Sequence, residues 1–181
     1  MTRLISGSAG SRRLATPSGR GTRPTSDRTR EALFSSLQSL CGALGGRTFL
    51  DLYAGSGAVG LEAASRGAGP VTLVERDAKA ARVIRANVAA LGAPGIEVVE
   101  MSVQRYLSSE PSPYDVVFID PPYTDPVAST LAALTEGWLV SEAVVCVERA
   151  TRDEALQWPE GIEGLRSRRY GDSTLWYGRA S

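Results

Sequence analysis

From residue 48 onward the chain alternates short apolar runs with segments of helical spacing, and this alternation constrains the fold more than any other feature. Residues 48–52, 71–75, 96–100, 115–120 and 143–148 read as strands, being short and rich in Val, Ile, Leu and Phe. Between them, residues 60–66, 77–91, 103–108 and 126–137 carry the helical patterns. Repeated βα units of this kind predict an α/β fold with a mostly parallel, doubly wound sheet and helices on both faces. Residues 164–169 and 173–178 meet at Gly171-Asp172, which predicts an antiparallel hairpin at one edge of that sheet.

The N-terminal quarter has a different character. Residues 3–8 and 11–15 surround Ala9-Gly10 and predict a small β-hairpin, followed by a link over 16–21. A helix then opens near Arg23-Pro24-Thr25-Ser26-Asp27. Thr25 or Ser26 can cap it, Asp27 and Glu31 suit its positive end, and Leu33, Phe34, Leu37 and Leu40 form one buried face. The 181 residues, 43% of them hydrophobic, suffice for one substantial core. No apolar run is long enough to span a bilayer and the start lacks a signal-peptide core, so a cytoplasmic location is expected, with a monomer as the starting assumption.

The formal net charge of zero conceals an uneven distribution. Residues 1–30 hold seven arginines against Asp27 alone, and the remainder holds 13 basic and 19 acidic residues. Arg12, Arg13, Arg20, Arg23, Arg28 and Arg30 are therefore candidates for phosphate contacts, as are Arg166, Arg168 and Arg169 near the C-terminus. Guanidinium groups bind phosphate bidentately, which points to a nucleic-acid partner; a solvated terminal segment is the competing reading. Cys41 and Cys146 lack metal or redox spacing and read as small core residues. Histidine is absent, which excludes Ser-His and Cys-His nucleophilic catalysis and imidazole bases; no metal site is expected.

Two stretches carry the chemistry. Asp51-Leu52-Tyr53-Ala54-Gly55-Ser56-Gly57 joins the first parallel strand to its helix, where glycines admit close approach of a ligand to the backbone. Glu75 ends the next strand, twenty residues after Gly55, where its carboxylate can take both hydroxyls of a ribose. Gly55, Gly57 and Gly60 also satisfy the dinucleotide fingerprint. Asp51 would however repel a pyrophosphate, and it would welcome the cationic amino-acid end of S-adenosylmethionine. The second stretch, Asp120-Pro121-Pro122-Tyr123, follows the run Val116-Val117-Phe118-Ile119. Two prolines make a stiff corner presenting a carboxylate, free carbonyl oxygens and an aromatic ring, which suits an amine-bearing base; a plain Pro-Pro turn is the alternative.

Together the glycine loop, Glu75 and the Asp-Pro-Pro-Tyr corner resemble a class I S-adenosylmethionine-dependent methyltransferase acting on an exocyclic amine. The segment Arg23-Pro-Thr-Ser-Asp-Arg-Thr-Arg-Glu-Ala-Leu-Phe34, with Ile5-Ser-Gly7 before it, narrows the resemblance to the bacterial RsmD family, which methylates a guanine N2 of 16S rRNA in the small ribosomal subunit. The resemblance implies a Rossmann-like sheet of seven strands with the last antiparallel. It also implies a basic N-terminal extension over residues 1–24 and a methyltransferase domain over 25–181. Asp120, Pro121 and Tyr123 become the expected catalytic residues. Asp51, Tyr53, Gly55, Ser56, Gly57, Glu75 and Arg76 become the expected contacts to S-adenosyl-L-methionine. Many relatives in the wider class carry Asp after the third strand; Met101-Ser102-Val103 stands there instead, so Ser102 and the Val103 N–H are expected to serve the adenine. The rival readings are a DNA adenine-N6 or cytosine-N4 methyltransferase, a non-catalytic ribosome-assembly module that binds RNA, and a nicotinamide oxidoreductase.

Overall fold

The computed structural model describes residues 2–16, 26–122 and 125–181. Its centre is formed by strands that are apolar on both sides, as parallel strands covered by helices must be. These are β3 (Phe49–Leu52), β4 (Val71–Glu75), β6 (Tyr114–Ile119) and β7 (Leu139–Ala150). With β5 (Ile96–Glu100), β8 (Ile162–Tyr170) and β9 (Ser173–Ala180) they form a seven-stranded sheet in the order β5-β4-β3-β6-β7-β9-β8. The strands from β5 to β7 run parallel, and β9 runs antiparallel between β7 and β8. The expected C-terminal hairpin therefore folds back so that its second strand pairs inward and its first becomes the sheet edge.

Alternation along the strands assigns the two faces. Phe49, Val116, Phe118, Val144 and Cys146 pack with Leu33, Phe34 and Leu37 of α1 (Asp27–Cys41), with Val59 and Ala63 of α2 (Ala58–Ser65), and with Ile84 of α3 (Ala78–Leu91). Leu50, Leu52, Val117, Ile119, Val145 and Val147 pack on the other face. There they meet Val103 and Leu107 of α4 (Val103–Leu107) and Leu131 and Leu134 of α5 (Val127–Leu134). Polar caps fix the helix starts: Ser26, Asp77 and Ser102 accept from Thr29, Ala80 and Arg105 N–H respectively.

The N-terminal hairpin is shorter than its pattern predicts, with β1 (Thr2–Arg3) pairing only with β2 (Arg13–Leu14). What holds it is α2. Buried Glu62 accepts from Ile5 N–H at 2.7 Å and Ser6 N–H at 3.0 Å, and Arg66 Nε donates to it at 2.8 Å. Gly7 passes so close that a Cβ there would lie 1.9 Å from the Ser65 carbonyl oxygen, and its φ of +86° suits only glycine. Leu4 and Leu14 close a small core with Ala58 and Leu61. Most of the expected link over 16–21 lies outside the described residues.

Candidate active site

Strand order decides where a ligand can sit. The chain leaves β3 toward β4 and β5 on one side and β6 and β7 on the other, so the carboxyl ends of β3 and β6 flank the switch point of the sheet. Asp51 and the glycine loop lie at the end of β3, and Asp120-Pro121 at the end of β6. Register places Asp51 beside Phe118, and Asp120 follows two residues later on the same face. The Asp120 N–H reaches back to the Leu52 carbonyl at 3.5 Å, tying the corner to the neighbouring strand.

The glycine loop is tight for identifiable reasons. Gly55 and Gly57 have φ of +56° and +76°, and Tyr53, without being glycine, takes φ +63°. The Tyr53 hydroxyl meets Thr130 Oγ1 at 3.3 Å and receives Gln104 Nε2 at 3.4 Å, which braces this strained residue against α5 and α4. A Cβ on Gly60 would lie 2.7 Å from Leu73, so the third glycine serves helix–strand packing. Glu75 holds the loop directly: its Oε2 accepts from Gly55 N–H at 2.7 Å and its Oε1 from Asp77 N–H at 2.8 Å. Each oxygen keeps a lone pair for a hydroxyl donor. Ser56 is half-buried in the loop and Arg76 is exposed beside Glu75. Ser102 Oγ accepts from Arg105 N–H as the α4 cap and keeps its proton to donate, and Val103 is buried at that helix's first turn.

The edge is acidic. Asp51 is 1% exposed and accepts from Gly60 N–H at 2.8 Å. Burial pushes its carboxyl up to about 7, against the pull of that N–H, and Glu75 adds to the rise. Asp120 is raised well above the ordinary carboxyl value by burial, then by Glu148 and Asp51. Carboxylates thus stand at the ends of β3, β4, β6 and near that of β7, where Glu148 sits in no recognisable sequence motif. Among the described residues no group of three or more His, Cys, Asp or Glu could hold a metal ion. The carboxylates are spread along the strand ends, which fits an extended cationic ligand and opposes a pyrophosphate. The residues present therefore suit S-adenosylmethionine better than a dinucleotide.

Of the six basic-arm arginines, Arg12, Arg13 and Arg28 are exposed. Arg20 and Arg23 lie outside the described residues, as does Tyr123. Arg30 departs from the expectation. It is fully buried, donates to Thr2 Oγ1 at 3.0 Å, to the Arg3 carbonyl, and to Asp27 Oδ1 at 3.0 Å. A guanidinium enclosed by protein acceptors cannot reach a phosphate, so Arg30 fastens the hairpin to α1. Arg166 is likewise turned inward, donating to the Ser36 carbonyl at 3.3 Å and lying over Tyr177.

A doubly wound sheet with an antiparallel last strand, a glycine loop and an Asp-Pro-Pro corner at its switch point defines a class I methyltransferase. Comparison with known proteins agrees. The family described as Conserved hypothetical protein 95 matches residues 2–179. Ribosomal RNA small subunit methyltransferase D of Escherichia coli K12 is 38% identical over 148 residues, covering 81% of this chain and 73% of that protein. Its namesake in Haemophilus influenzae is 34% identical over 180 residues, covering 93% and 89%. The solved structure of the putative methyltransferase yhhF from Escherichia coli superposes with a TM-score of 0.89 at 31% identity, covering 99% of this chain and 97% of that one. The chain belongs to this family, the RsmD family that its motifs resemble, and is a methyltransferase.

Proposed function

We propose that this protein transfers a methyl group from S-adenosylmethionine to the exocyclic N2 of a guanine in 16S rRNA of the small ribosomal subunit. The observation that carries the reading is the placement of Asp120-Pro121 across the switch point from Asp51 and the Glu75-clamped glycine loop. An amine acceptor site and an acidic cofactor site then face each other. The names of the relatives support an rRNA substrate, and the resemblance in the N-terminal signature supports guanine.

When bound, S-adenosylmethionine supplies an electrophilic methyl whose bonding electrons depart with sulfur, so no protein nucleophile is required. Asp51, Tyr53, Gly55, Ser56, Gly57, Glu75, Arg76, Ser102 and Val103 are assigned to holding it, with Asp51 and Glu75 supplying negative charge. Asp120 and the Pro121 carbonyl accept the two N–H bonds of the guanine amine, which draws the nitrogen lone pair out of conjugation and aims it. Tyr123 stacks on the base, an interaction worth about 1–3 kcal/mol in related single-strand contacts. The alkylated amine is acidic and sheds its proton, for which Asp120 is the adjacent base. Arg12, Arg13 and Arg28, with Arg20 and Arg23, contact RNA phosphates.

The test is incubation with tritiated S-adenosylmethionine and small-subunit particles from cells lacking the enzyme, followed by nucleoside analysis. Label in N2-methylguanosine is expected. Label in an adenine or cytosine product would overturn the substrate, and cofactor binding without any label would overturn the rRNA reading.

A further inference from the structure

Tyr53 follows β3 with φ at +63°, a conformation few residues other than glycine adopt, and its side chain leads from the glycine loop toward the Asp-Pro-Pro corner. The hydroxyl meets Thr130 Oγ1 of α5 at 3.3 Å and receives Gln104 Nε2 of α4 at 3.4 Å. The same Gln104 nitrogen donates to Asp125 Oδ2 at 3.3 Å, so its two amide protons serve two acceptors. Asp125 in turn gives its N–H to the Pro122 carbonyl at 3.0 Å, which ties the residues on either side of Tyr123 and Thr124 in the chain. Burial raises the Tyr53 hydroxyl, against the pull of Thr130, and the nearby Asp125 carboxylate adds to the rise. The phenol therefore keeps its proton within one cluster that spans both stretches. Val103 and Leu107 anchor α4 in the core, whereas Gln104 is exposed. What its side chain contributes is the pair of hydrogen bonds.

In the function proposed above, on which this inference rests, Tyr53 belongs to the cofactor side and Pro121 with Tyr123 to the base side. We propose that Gln104 is a positioning residue joining the two, its amide coupling occupancy of the S-adenosylmethionine site to the segment that receives the target base. A filled cofactor site restrains Tyr53, and a fixed hydroxyl holds Gln104 and Asp125 in place. RNA that arrives afterwards meets a corner already ordered, so ordering it costs less of the binding energy. Such a coupling is a binding free energy and acts equally in both directions: RNA tightens the cofactor by the factor with which the cofactor tightens RNA. Gln104 acts through Tyr53 and Asp125, not on the reacting atoms. An apolar side chain of the same length fills the same space on α4 and leaves both acceptors to water, which removes the link without disturbing the core.

The experiment measures the Kd of the full chain for small-subunit particles from cells lacking the enzyme, with and without saturating S-adenosylhomocysteine, which fills the cofactor site without turnover. The wild type is expected to bind the particles about tenfold more tightly when that site is filled. Gln104→Met keeps the length of the side chain and removes the amide. It is expected to cut the factor to about twofold or less, while affinity for S-adenosylhomocysteine alone changes by less than about twofold. Tyr53→Phe, which removes only the hydroxyl, is expected to cut the factor equally, and the double variant to cut it no further. A wild-type factor below about twofold overturns the proposal, as does a factor that Gln104→Met leaves unmoved. Loss of S-adenosylhomocysteine affinity in Gln104→Met also overturns it, since that marks a direct cofactor contact. Tritiated S-adenosylmethionine given to the same particles reads the function separately. Label in N2-methylguanosine with an unmoved factor removes this proposal alone, and absence of guanine label removes the proposed function and this proposal with it.

Discussion

At the residue scale the two aspartates at the switch point differ in what their loss should do. In the proposed reaction Asp120 accepts from the amine to be methylated, so Asp120→Ala is expected to abolish turnover while S-adenosylmethionine affinity, measured by calorimetric titration, changes less than about threefold. An equal loss of cofactor affinity would reassign Asp120 to the cofactor. Asp51 should instead reveal itself through pH. Its carboxyl, raised to about 7 by burial, is largely protonated below that pH in the ligand-free protein, and a cationic ligand favours the ionised form. Affinity for S-adenosylmethionine is therefore expected to rise as pH increases from 5.5 to 7 and to level off above, with Asp51→Asn flattening the profile. The same shift has the opposite sign for folding. The native carboxyl holds its proton more tightly than the unfolded one, so this group's contribution to stability is greatest near pH 4 and declines as pH rises toward 7.

At the scale of elements, the hairpin of β1 and β2 depends on α1 and α2 rather than on its own short pairing. Glu62, itself fully buried, satisfies two consecutive backbone N–H groups and pairs with Arg66, and removing it leaves all three without that acceptor. Glu62→Ala is expected to cost about 3 kcal/mol in urea unfolding, and a change below about 1 kcal/mol would contradict this account of the docking. Arg30 makes a parallel case. Arg30→Ala should destabilise by about 3 kcal/mol because a fully buried side chain is removed and Thr2 Oγ1 and the Arg3 carbonyl lose its donors, yet it should leave the salt dependence of RNA affinity unchanged. A shallower salt slope in that variant would restore Arg30 to the phosphate contacts. The helical periodicity of α1 was fully readable, but a run of arginines carries no mark of which one turns inward. That depended on Thr2 and Asp27 meeting from positions 25 residues apart.

At the scale of the molecule, an acidic strand-end edge and the exposed Arg12, Arg13 and Arg28 belong to one function only if they engage one polyanion. Replacing Arg12, Arg13 and Arg28 together by Gln is expected to lower the slope of log affinity against log salt by about 2 for small-subunit rRNA, with S-adenosylmethionine binding intact. An unchanged slope would remove these side chains from the interface. Substitution is the cleaner probe here, since deleting the hairpin would also uncover Leu61 and the buried Glu62.

The sequence by itself determined the alternating βα order, the glycine loop and the Asp-Pro-Pro corner. These are local signals: apolar runs of strand length, glycines where φ must be positive, and prolines that stop a ladder. They are written in contiguous residues because the physics behind them acts over a few bonds. The tertiary structure alone decided the order of strands in the sheet, and with it that β9 slips between β7 and β8. It decided that Glu75 clamps Gly55 and that Arg30 is a fastening. Each of those depends on register between strands or helices far apart in the chain, where the deciding term is burial and pairing of polar groups from several elements at once.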